Sequence, residues 1–153
     1  MHRLTLLLAS GLYTGYMPVA SGTWGTLVAI PLFWLFAAWQ EAVLLTLVTW
    51  VAAVAGACWI AGRAETLLGE HDSGVIVIDE IVGYLAATLF LPPTWGHTIL
   101  AFFVFRALDV LKPFPAGWID RRMPGGSGVV LDDVVSGLYS NVVTRLLAAW
   151  FLT

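Results

Sequence analysis

Charge is scarce in this chain. Of 153 residues only 11% are charged and 59% are hydrophobic, with mean hydropathy +0.87, whereas an average soluble domain is about a quarter charged. Seven Lys/Arg, ten Asp/Glu and three His cannot cover the exterior of a water-soluble fold of this size, so a bilayer is the expected solvent for much of the surface. The net charge of −3 and pI of 5.4 exclude the basic footprint that nucleic acid requires. A single cysteine, Cys58, excludes an internal disulfide and a multi-cysteine metal site. The three histidines are scattered and make no zinc spacing. Repeats, low-complexity tracts and linkers are also lacking, which implies one domain over residues 1–153. The first nine residues lead into no small-x-small cleavage pattern, so the N-terminus reads as retained.

What is present is a succession of apolar runs, predicted as an all-α, multi-helix integral membrane bundle of about four to five apolar helices. Residues 11–25, rich in Gly, Ser, Thr and Pro, read as a structured loop. Helices are predicted over 26–39, 42–61 with a continuation to 68, 75–91, 97–111 and 129–151. Residues 69–74 and 112–128 read as loops, the latter with three prolines and four glycines. Val75 to Ile78 is β-branched enough for a strand, but an open sheet edge has no place in lipid. Three of the helices have about 14–17 residues against the roughly 20 of a full span.

Up-and-down threading of these helices gathers nearly all ionisable groups at one face: Arg63, Glu65, Glu70, Asp72, Asp79, Glu80, Arg106, Asp109, Lys112, Asp120, Arg121, Arg122, Asp132 and Asp133. The opposite face holds little beyond Glu41, His97 and Arg145. The lysine and arginines in the rich layer make it cytoplasmic by the positive-inside rule. Glu70, Asp120, Arg121 and Arg122 fit ordinary solvated helix ends. Asp79, Glu80 and Asp109 do not, because apolar sequence flanks them and a carboxylate inside an apolar segment is a functional candidate by default.

Helical spacing adds detail. Asp79 and Gly83 share a face, as do Asp133, Gly137 and Asn141, and Asp132, Ser136 and Ser140. Small residues beneath a carboxylate let a neighbouring helix approach closely. Arg106 and Asp109, three apart, can pair directly. Converging carboxylates repel unless protonated or bound to a cation, and an all-oxygen set favours Mg²⁺, Mn²⁺ or Ca²⁺ over zinc. The Gly22-Thr-Trp-Gly-Thr26 stretch precedes a predicted helix, so the amides and hydroxyls of Gly22, Thr23, Gly25 and Thr26 are candidates to hold a phosphate at a helix N-terminus, with Arg106 and Lys112 nearby. Familiar phosphatase signatures are missing: Cys58 and Arg63 are one residue too close for a C-x5-R loop, and neither a D-x-D-x-[TV] nucleophile nor a G-x-S-x-G elbow occurs.

Four stretches stand out in order and spacing: Gly15-Tyr-Met-Pro-Val-Ala-Ser-Gly-Thr-Trp-Gly-Thr-Leu27; Asp72 followed by Ile76-Val-Ile-Asp-Glu-Ile-Val-Gly83; Phe105-Arg-Ala-Leu-Asp-Val-Leu-Lys-Pro-Phe-Pro115 with Asp120; and Gly128-Val-Val-Leu-Asp-Asp-Val-Val-Ser-Gly137. Together, over about residues 8–141, they resemble the phosphatidylglycerophosphatase A family. The chain departs from the family pattern with Ser21-Gly22-Thr23 in place of Pro-Gly-Thr and His71-Asp72-Ser73 in place of Lys-Asp-Pro. The resemblance implies Mg²⁺-dependent hydrolysis of phosphatidylglycerophosphate to phosphatidylglycerol and phosphate, in the cytoplasmic leaflet of a bacterial inner membrane. The reading of the residues supplies a mechanism for it, in which Asp79, Glu80, Asp109, Asp132 and Asp133 are expected to hold one or two Mg²⁺. Asp72 or Glu80 is expected to act as general base, and Arg106 and Lys112 to stabilise phosphoryl charge. Two other readings remain: a small proton- or cation-coupled transporter, which would need polar groups continuing across the membrane, and a lipid phosphotransferase, whose D-x2-D-G-x2-A-R pattern is missing.

Overall fold

A computed structural model of the chain describes residues 2–151, and those residues contain seven α-helices and no strand. The helices are α1 (His2–Ala9), α2 (Ser21–Ala37), α3 (Val43–Leu68), α4 (Ile78–Thr88), α5 (Trp95–Leu111), α6 (Ala116–Arg122) and α7 (Gly126–Phe151). The expected single domain over 1–153 includes residues 1, 152 and 153, which lie outside the described ones.

The helix ends follow local chemistry. α3 runs the length of its apolar stretch and stops at Gly69, whose φ of +69° suits a glycine after a helix C-terminus. α4 carries Asp79 and Glu80 in its first turn, where the helix dipole favours negative charge, and Pro92-Pro93 prevents it from continuing. The Thr94 side chain accepts the His97 N–H at the start of α5, a standard N-cap. α5 closes on Lys112 in the left-handed region, φ +44°, just before Pro113.

Two predicted loops prove partly helical. α2 begins at Ser21, five residues earlier than expected, because Ala20 turns through a left-handed conformation and Gly22 and Gly25 are held in the helix by close contact with Glu80 and Val77. The proline- and glycine-rich 112–128 stretch contains α6 and the start of α7. The span count is also corrected. Two helices, α3 and α7, are long and apolar enough to cross a membrane, and α2 is a shorter apolar helix. Only 11% of the apolar window of α3 is buried, the reverse of a soluble core helix. α4 has 11 residues, far short of a span, and residues 81–88 are all buried.

α4 is the central element, packed by α2, α3, α5 and α7. On one side Ala57, Ala61 and Ala64 of α3 meet Val82 of α4 and Val129, Val130 and Val134 of α7. Small side chains there let the three helices approach closely. On the other side Phe33, Tyr84, Leu85, Leu91 and Phe105 form an aromatic–aliphatic core, and the Tyr84 hydroxyl donates to the Thr98 carbonyl at 2.9 Å.

Candidate active site

The ends of α2, α4, α5 and α7 converge on a cleft of about 270 Å³, lined by Ser21, Asp72, Asp79, Glu80, Asp109, Val110, Lys112, Asp132 and Asp133 among others. The first turn of α4 supplies Asp79 and Glu80. The second turn of α7 supplies Asp132 and Asp133, brought alongside where Gly83 and Gly137 let the two helices touch. The last turns of α5 supply Arg106 and Asp109.

At the centre, single carboxylate oxygens of Asp79, Glu80 and Asp133 lie within 4.8 Å of one another. Asp79, Asp132 and Asp133 are buried, at 8%, 2% and 3% exposure. Asp79 Oδ1, Glu80 Oε2, Asp132 Oδ1 and Asp133 Oδ2 are all buried without a hydrogen-bond donor. Buried charged oxygens left unpaired cost several kcal/mol each, so this donor set fits a hard divalent cation, which takes all-oxygen ligands.

The two cations of the cleft are both committed to carboxylates. Arg106 Nη1 donates to Asp109 Oδ2 at 2.6 Å, the i,i+3 pair anticipated from spacing, and lies 3.8 Å from Glu80 Oε1. Lys112 Nζ bridges Asp120 Oδ1 and Asp132 Oδ2, each at 2.7 Å. Burial pulls the Lys112 ammonium down, but the hydrogen bonds and charges of Asp120 and Asp132 outweigh it and hold the group above its ordinary range. Asp120, expected as solvated surface, is therefore tied to the site through a lysine that lines the cleft.

The anticipated phosphate loop is rearranged. Gly22 does border the carboxylates: a β-carbon there would lie 2.0 Å from Glu80 Oε1. Gly25 packs on Val77, the buried Thr26 hydroxyl donates to the Gly22 carbonyl at 2.8 Å, and the Thr23 amide donates to the Ala20 carbonyl. Once the segment is helical, 3.6-residue periodicity turns Gly25 and Thr26 to the core. Ser21 takes the place at the cleft that the sequence pattern assigned to its neighbours.

Asp72 stands at the rim, exposed and in the left-handed region with φ +49°. Its backbone N–H donates to Glu65 Oε1 at 3.0 Å, and the His71 ring pairs with the same oxygen. Glu65, at the end of α3, thus clasps the 69–74 loop. It was legible only as one more charge in the ionisable layer, since its partners come from the loop conformation. At the other end of the bundle, Asn141 Nδ2 donates to the carbonyls of Ala87 and Leu89, and Arg145 Nη2 to those of Leu89 and Phe90. These polar groups satisfy the backbone freed where α4 stops.

Comparison with known proteins supplies the class. A family model described as Phosphatidylglycerophosphatase A matches residues 7–148. The chain is 38% identical over 137 residues to Phosphatidylglycerophosphatase A of Escherichia coli K12, covering 88% of this chain and 77% of that protein. It is 32% identical over 147 residues to the Haemophilus influenzae protein of the same name, covering 95% and 90%. A Bacteroides thetaiotaomicron protein, provisionally named a phosphatidylinositol-3-phosphatase, is 34% identical over 160 residues, covering 97% and 96%. No solved structure matches the chain. The protein is an enzyme of the phosphoric monoester hydrolase class. It belongs to the phosphatidylglycerophosphatase A family.

Proposed function

We propose that this chain is a multi-pass membrane enzyme that uses Mg²⁺ to hydrolyse phosphatidylglycerophosphate to phosphatidylglycerol and phosphate, at the cytoplasmic face of a bacterial inner membrane. The observation that carries this reading is the buried group of Asp79, Glu80 and Asp133 with its donorless oxygens, in a chain whose E. coli and H. influenzae relatives bear the name of that activity.

Asp79, Glu80 and Asp133 would hold the cation, with Asp109 and Asp132 at its edge. Bound there, Mg²⁺ supplies Lewis-acid neutralisation of phosphoryl charge. The chain's own residues do the rest. Arg106 and Lys112, fixed by their carboxylate partners, place positive charge beside the incoming phosphate, and rigid placement of charge is what stabilises a transition state. Asp72, exposed at the rim, takes the proton of the attacking water as general base. The water oxygen forms the new P–O bond, the bond to the glycerol oxygen breaks, and that leaving oxygen takes a proton from bulk water while Asp72 returns its own to solvent. The carbon skeleton of the lipid stays outside the cleft.

The test is phosphate release from the purified, vesicle-reconstituted protein, with Mg²⁺ and with EDTA. Release that EDTA abolishes and Mg²⁺ restores is expected; no release in either condition would sink the enzyme. Equal rates on phosphatidylglycerophosphate, phosphatidylinositol 3-phosphate and phosphatidic acid would reduce the substrate to lipid phosphate monoesters in general.

A further inference from the structure

The cleft, at about 270 Å³ and lined mostly by polar groups, can take a phosphorylated headgroup but not two acyl chains, so the acyl chains of a lipid substrate must lie on the protein's outside. One surface is continuous with the cleft. On α5, Ile99, Phe103, Arg106 and Val110 follow one another at spacings of four, three and four, which places them on a single helix face. Ile99, Phe103 and Val110 are 52%, 66% and 74% exposed. Val110 also lines the cleft, and Arg106, between Phe103 and Val110, reaches in to Asp109 and Glu80. A single stripe thus begins as bare hydrocarbon surface and ends at the carboxylates. Exposed side chains of this kind on a soluble helix would be an association liability; against lipid they are the favoured contact.

The geometry points to a substrate track: we infer that one acyl chain of the lipid lies along Ile99 and Phe103 of α5, so that the terminal phosphate enters the cleft sideways past Val110. This rests on the lipid phosphatase reading. It assigns Phe103 and Val110 to substrate recognition and leaves the equally apolar outer face of α3, with Val48 and Val51 exposed, as plain contact with bulk lipid.

The test uses the full chain in vesicles and a phosphonate analogue of phosphatidylglycerophosphate carrying a diazirine midway along one acyl chain. Photolysis is expected to label the 95–111 segment in preference to 43–68. A bulk phosphatidylcholine with the same diazirine is expected to label both. Alongside, Phe103→Ala is expected to lower kcat/KM on the dipalmitoyl substrate about tenfold through KM, the value of one large apolar contact, whereas Val48→Ala leaves it unchanged. Equal labelling of both segments by the analogue, or equal effects of the two substitutions, would overturn the track. Failure of the wild-type protein to release phosphate from the natural lipid would overturn the functional reading instead.

Discussion

A β-carbon on Gly137 would fall 2.1 Å from the carbonyl oxygen of Gly83. That contact between α7 and α4 sets the distance between Asp133 and the Asp79–Glu80 pair, because all three carboxylates stand within about one turn of it.

Gly137→Ala is therefore expected to push the two helices apart. Overpacking of this kind costs about 1–3 kcal/mol, read as a lowered midpoint of thermal unfolding in detergent. Phosphate release should fall with it, since the carboxylates separate. Ser136→Ala, a neighbour whose hydroxyl has no partner, should leave both readings near wild type.

Asp79→Asn is expected to cut turnover by about 100-fold or more, as losing even an outer partner of a metal site costs 10–100-fold. Its stability should change in the opposite sense to its activity. Removing one of several crowded buried charges relieves repulsion, so the metal-free variant should unfold at a higher temperature than the metal-free wild type. Mg²⁺ should raise the unfolding temperature of the wild type and not of the variant.

Lys112 holds Asp120 and Asp132 together at 2.7 Å each. Lys112→Met is expected to cost about 1–3 kcal/mol by leaving Asp132 buried without its partner, and a second change, Asp132→Asn, should recover part of that loss. The pH dependence has a definite sign. The folded group lies above its ordinary value of 10.5, so its stabilisation is complete below that value and fades only as pH rises through the still higher folded value. Stability measured from pH 6 to 9 should therefore show no step from titration of the Lys112 ammonium itself.

Glu65 accepts from the Asp72 amide and pairs with His71. Glu65→Ala is expected to loosen the 69–74 loop, visible as faster cleavage there by an added protease. If Asp72 is the general base, kcat should fall several-fold with KM nearly unchanged, because the base loses its position while the phosphate contacts stay.

Some of this architecture is legible in residue order alone. An apolar, uncharged run such as 42–61 must be a helix in lipid, since every backbone group needs an internal partner. The Arg106–Asp109 pair and the glycines beneath Asp79 and Asp133 follow from helical periodicity, which is local and therefore readable. Gly22, Thr23, Gly25 and Thr26 show the limit: the composition of residues 11–25 resembles a loop, yet the segment is helical from Ser21, because contact with α4 and the turn at Ala20 override local preference. The 75–91 run likewise resembles one span but folds as an 11-residue internal helix.

By itself the sequence determined that the chain is helical, that much of its surface is apolar, and that its carboxylates collect at one end of the bundle, because those properties depend on composition and on 3.6-residue spacing. Only the tertiary structure decided which of those groups touch. The pairing of Lys112 with Asp120 and Asp132, the clasp of Glu65 on Asp72 and the meeting of Asp133 with Asp79 and Glu80 all cross between elements. Their distances are set by where helix surfaces pack, above all at Gly83 and Gly137, and no local pattern encodes that crossing.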